Sequence, residues 1–308
     1  MIADRGQHAP DSAQRLPKKA SQVRARRRPM LALLTRRRMW LKLLQYVILL
    51  AAAAVVTIPL YWMVDASLET NQAVGSSPTL FPSNPVWENY PNALSFVDSG
   101  TFFKNTMILE VLIMIGVLIS SSMAAYSFAR LRWPGRDVWF LILLSVLMVP
   151  YFSTLVPTFM LWHYLGLVNT FFPLVVPAYC GNAFFIFLLR QFFRGIPREL
   201  EDAARIDGAG FIRVFVMIIL PLARPALAVV AIFTFTGVWN DFLNPLIYLN
   251  SNDKFTLALG LQMFLVEQSA PWAELMAACT MVIVPMVLIF LFFQRSLVQG
   301  ITLGGLKG

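Results

Sequence analysis

The chain has 308 residues, of which 58% are apolar and 13% charged, against roughly 45–50% and 25% in an ordinary soluble domain. Ordinary Gly and Pro usage (16 and 19) excludes a collagen-like or linker-dominated chain, and the excess of Leu, Val, Ile, Phe and Ala points to one all-α transmembrane bundle. Cys180 and Cys279 both sit in apolar stretches, which excludes a disulfide framework and a cysteine-based metal site.

Residues 1–42 come first and hold twelve of the 25 basic residues, including Arg26-Arg27-Arg28 and Arg36-Arg37-Arg38. Interleaved Pro, Ser and Gln predict a disordered basic tail whose charge reads as a topology signal touching anionic lipid, not as a nucleic-acid site. The apolar run from Leu43 outlasts a signal-peptide core and ends in Tyr61-Trp62, so it stays in the membrane. Uncharged stretches long enough to span then predict six transmembrane helices: Leu43–Val64, Met107–Phe128, Val138–Phe159, Phe171–Leu189, Ala226–Tyr248 and Leu275–Phe293. Pro173 and Pro177 interrupt the start of the fourth, and Glu110 and Asp241 are the only charges inside the six.

With both termini cytoplasmic, 23 of the 25 basic residues fall inside and only Lys104 and Lys254 outside, which the positive-inside bias makes the expected orientation. The segment 190–225 is the largest cytoplasmic connection and 295–308 a C-terminal tail. Within the connection, Pro197 to Gly208 predicts a three-turn helix with acids at its start and a left-handed glycine at its end. An amphipathic stretch, Phe211 to Leu222, follows, with Phe215, Ile218, Ile219 and Leu222 on one side.

No phosphate-cradling Gly-x-x-x-x-Gly-Lys-Ser/Thr motif occurs, and His8 and His163 have no Cys or carboxylate cluster around them, so neither a catalytic nor a metal site is expected. Buried acids at depth would signal an ion-gradient-driven secondary transporter. Glu110 and Asp241 alone give that alternative thin support. For an uncharged sugar, Tyr179, Asn182, Trp239, Asn240, Asp241 and Asn244 offer hydroxyl partners and aromatic faces along the fourth and fifth spans.

Asp202-Ala203-Ala204, three further residues, Gly208, nine more, then Ile218, Leu220 and Pro221 resemble the cytoplasmic loop motif of the membrane-spanning permease subunits of ATP-binding-cassette importers. Asp202, preceded by Glu201, replaces the usual Glu. Trp239-Asn240-Asp241 and the terminal Gly300 to Gly308 resemble the maltose-type sugar permeases, and the likeness covers most of 43–308. The resemblance implies a polytopic, type I importer fold in a bacterial or archaeal inner membrane. It further implies a second, homologous permease subunit, a dimer of cytoplasmic ATPases that bind ATP and Mg, an extracytoplasmic solute-binding protein and a sugar as cargo. This chain itself would hold no cofactor. The 197–208 helix would be the coupling helix, with Glu201, Asp202, Ala203, Ala204, Asp207 and Gly208 meeting the ATPase.

Overall fold

The computed structural model describes residues 18–75, 81–82, 84–266 and 271–305, with side chains described over 39–75, 81–82, 84–265 and 271–294. Every secondary-structure element among the described residues is helical. Helix α1 runs from Lys18 to Ala66 and takes in much of the basic stretch that precedes the first apolar run. Ala, Arg, Lys, Leu and Gln, all strong helix formers, dominate that stretch. Residues 1–17 and 306–308 lie outside the described residues. As far as Trp62, α1 forms a unit of its own, and each of its described side chains from Met39 is exposed.

From Met63 onward the chain makes a second unit. Helix α2 (Asn89–Phe96) leads into α3 (Ser99–Arg130), an unbroken helix of 32 residues whose start is capped by Asp98 accepting from Thr101 N at 3.2 Å. The next span is in two pieces, α4 (Arg136–Ser145) with a 3-10 turn to Met148, and α5 (Tyr151–Tyr164), bent 98° to each other. Pro150 lies at the bend, lacking the N–H a continuous helix needs and turning the preceding residue extended. Helices α6 (Phe172–Tyr179) and α7 (Ala183–Gly195) follow, separated by Cys180-Gly181-Asn182 with Gly181 at φ +87°. After the loop helix α8 (Glu199–Ile206) come α9 (Phe211–Val214), a π-helical turn at Phe215–Ile219, α10 (Leu220–Leu222) and α11 (Arg224–Trp239). Short helices α12 (Leu243–Tyr248) and α13 (Leu257–Val266) precede α14 (Trp272–Gly305), which carries helix through most of the segment expected as a C-terminal tail.

By length and composition, Met39–Ala66, Ser99–Arg130, Phe172–Gly195 and Trp272–Gln294 can each cross a membrane. Two bent pairs, α4 with α5 and Phe211–Leu222 with α11, bring the number to six if each pair is one span. The expected fifth span is therefore shifted: α11 stops at Trp239, and Phe211–Leu222 belongs to the helical path leading into it.

One core gathers Ala125 and Tyr126 of α3, Leu189 and Phe193 of α7, and Val214, Ile219, Ala223 and Val230 of the α9–α11 path. The buried stripe steps by five residues from Val214 to Ile219 and by four to Ala223. A π turn winds an extra residue into the helix, so the plain helical period that grouped Phe215, Ile218, Ile219 and Leu222 fails here. Val214 is buried and Leu222 exposed. A second core joins Ala93 of α2, Phe102 of α3, Phe264 of α13 and Leu275 and Ala278 of α14. The end of α3 near residue 105 is tied to the 249–257 segment: Asn105 Nδ2 donates to Asp253 O at 2.8 Å and to Phe255 O at 3.0 Å, and Leu257 N donates to Thr106 Oγ1 at 2.9 Å.

Candidate functional site

Helix α8 is two turns long and not three, because Pro197 and Arg198 precede its first residue. Glu199, Glu201 and Asp202 crowd its first turn, where exposed backbone N–H groups favour acids. Its end is a double-bonded glycine cap: Ala209 N donates to Ala204 O at 2.9 Å and Gly208 N to Arg205 O at 3.0 Å, with Gly208 at φ +81°. A Cβ at Gly208 would meet nothing within 4 Å among the described residues, so there the glycine is explained by its backbone conformation and not by crowding.

Asp202, Ala203, Asp207 and Gly208 are exposed and Ala204 is half-buried. Glu201 is not an outward-facing acid as the sequence reading had it: it is 4% exposed and its Oε1 lies 3.1 Å from Nε of Arg130, itself buried at the end of α3. The same guanidinium donates to the carbonyls of Phe193 and Ile196 at the end of α7. The helix instead presents an apolar residue that the motif left blank, Ile206, 86% exposed.

A second polar group lies at two of the helix breaks. Asp241 follows the end of α11 and starts α12 by accepting from Asn244 N at 3.1 Å, and its other oxygen accepts from Asn244 Nδ2 at 2.9 Å. Asn244 Oδ1 in turn accepts from the Tyr151 hydroxyl at 2.5 Å. Tyr151 opens α5 just past the Pro150 bend. It was absent from the sequence-derived site, although its place after Pro150 was a readable signal. Irregular backbone at membrane depth is tolerated where it is buried in protein or lines a cavity.

The other expected pathway residues divide. Asn240 is exposed and donates to Thr236 O at 2.8 Å. Trp239 is buried instead, donating to Val282 O at 3.1 Å and stacking on Phe235. Asn182 caps α7, accepting from Phe184 N and Phe185 N. Tyr179 lies against Gly116, its ring 2.7 Å from where a Cβ there would be. Glu110 is 5% exposed with no hydrogen-bond partner for either oxygen among the described residues.

Residues 96–303 match the family described as binding-protein-dependent transport system inner membrane component. The chain belongs to this family. It is thus a multi-pass membrane component of a transport system, and the sequence-derived resemblance to importer permeases holds. It is 34% identical over 265 residues to the diacetylchitobiose uptake system permease protein NgcG of Streptomyces coelicolor, covering 85% of this chain and 87% of that one. It is 41% identical over 216 residues to the arabinooligosaccharides transport system permease protein AraQ of Halalkalibacterium halodurans, covering 69% and 77%. It is 31% identical over 272 residues to the galactooligosaccharides transport system permease protein GanQ of Bacillus subtilis, covering 86% and 95%. Its fold is similar to a chain from the crystal structure of a bacterial ABC transporter involved in the import of the acidic polysaccharide alginate, with a TM-score of 0.75 and 24% identity over 82% of this chain and 95% of that one.

Proposed function

We propose that the chain is one permease half of an ATP-driven importer for an oligosaccharide or related carbohydrate. It works with a second, homologous permease subunit, a dimer of cytoplasmic ATPases that bind ATP and Mg, and an extracytoplasmic solute-binding protein. The observation that carries this is the likeness to NgcG, AraQ and GanQ, three permease proteins named for oligosaccharide systems, over 69–86% of the chain. In this reading the termini and α8 are cytoplasmic, in keeping with the distribution of basic residues.

Helix α8 enters a cleft of the ATPase through Asp202, Ala203, Ala204, Asp207 and Gly208, with Ile206 as an apolar knob. Glu201 serves the same coupling from inside, through its pair with Arg130. Solute passes the break between α11 and α12, where Asn240, Asp241, Asn244 and Tyr151 offer hydroxyl partners, and Tyr179 and Asn182 lie beside the α6–α7 break. Uptake of labelled oligosaccharides by vesicles holding the whole complex tests the function. Uptake is expected to require ATP and the binding protein and to survive collapse of ion gradients; uptake driven by an ion gradient without ATP would overturn it.

A further inference from the structure

At the α8 end of the bundle, one pocket of about 430 Å³ is lined by four arginines, Arg136, Arg190, Arg194 and Arg198, and one acid, Asp137. Asp137 is taken: its Oδ1 lies 3.0 Å from Arg136 and 3.7 Å from Arg190. Arg194 and Arg198 have no carboxylate within ion-pairing distance among the described residues. Four guanidinium groups and one carboxylate leave three positive charges unmatched.

Arg190 is held in place before any ligand arrives. It is 8% exposed, donates from Nε to Phe128 O at 3.2 Å, and lies 3.8 Å over the ring of Phe140. The rest of the lining is apolar, with Phe128, Ala129, Phe140 and Leu141, and one turn before Leu141 on α4 comes the exposed Val138. Helix α4 opens one of the two bent candidate spans, and Trp139 lies in its first turn, where interfacial aromatics are enriched. The pocket therefore combines four cationic groups with an apolar wall.

We infer that this pocket binds the phosphodiester headgroup of an anionic phospholipid, with an acyl chain lying along α4. Guanidinium groups match phosphate oxygens in pairs, and basic pockets between transmembrane helices bind acidic headgroups. The apolar wall favours a lipid over a soluble protein, which would have to cover a helix face that hydrocarbon already solvates. The inference rests on the proposed orientation only for which leaflet supplies the lipid.

The test uses the purified full complex, exchanged into vesicles of phosphatidylcholine with and without phosphatidylglycerol, and native mass spectrometry of retained lipid. Wild type is expected to keep phosphatidylglycerol through detergent, and R194Q and R136Q/R194Q to lose it, the double variant by roughly tenfold or more, while R213Q on α9 keeps it. Excess inorganic phosphate should not displace it. Equal retention in all variants would overturn the site. Displacement by inorganic phosphate would make it a free-anion site. Loss of the ATPase from R194Q with lipid retention unchanged would assign the surface to the protein partner. None of these readouts measures uptake, so failure here leaves the transport reading to its own test.

Discussion

Arg130 Nε and Glu201 Oε1 lie 3.1 Å apart with both side chains buried, joining α8 to α3 across 71 positions of sequence. Removing one partner of a buried pair leaves the other charge unmatched, at about 3–5 kcal/mol. E201Q and R130Q are each expected to lower the melting temperature of the complex. R130M/E201L should recover part of it, because apolar replacement of a buried pair is often neutral or better. If the pair carries motion from α8 into α3, the double variant still hydrolyses ATP but imports less solute per ATP. Normal coupling in R130M/E201L would reduce the pair to a fold-stabilising contact.

Gly208 separates backbone strain from packing, since its φ of +81° demands a left-handed residue while nothing among the described residues crowds its missing Cβ. G208V carries about 1–2 kcal/mol of strain, whereas G208N suits the same conformation. Co-purification of the ATPase should fall for G208V and hold for G208N. Equal loss in both would locate the requirement in the partner's cleft and not in the turn.

The bonded set Tyr151, Asn244 and Asp241 gives a graded series. Y151F removes one hydrogen bond of about 1 kcal/mol and is expected to lower uptake modestly. N244A and D241N, which disrupt the start of α12 as well, should lower it further with the complex still assembled. W239F, altering a buried packing residue, should act on yield before it acts on uptake per complex. Unchanged uptake in N244A and D241N would remove the set from the pathway.

Orientation is testable with single cysteines in a background lacking Cys180 and Cys279. N252C should react with an impermeant maleimide added outside intact cells and A209C only after the membrane is opened. Reaction at A209C in sealed cells would invert the arrangement.

Long apolar runs and the loop motif were legible because each is local: a run of side chains, or a spacing along one helix. The break at Pro150 could be seen in the residue itself, yet the breaks at Gly181 and Asn240 left hydropathy unchanged and so passed unseen. Glu201 and Asp202 illustrate another limit. Adjacent acids on a helix point about 100° apart, and only Arg130, distant in sequence, decides which of them turns inward. The π turn at Phe215–Ile219 shifts the buried stripe by one residue, which no reading with a fixed period can follow.

Helix α3 is an unbroken helix of 32 residues in the second unit, and it is anchored near both ends, by Arg130 at one and by Asn105 at the other. The 25 residue-to-residue steps from Asn105 to Arg130 make a rod roughly 37 Å long. A tilt of about 5° about either anchor sweeps the opposite end through roughly 3 Å, the width of one hydrogen bond. The polar ties of Asn105 to Asp253 and Phe255 are of that length, so a displacement at one face of the membrane too small to disturb packing is enough to make or break contacts at the other.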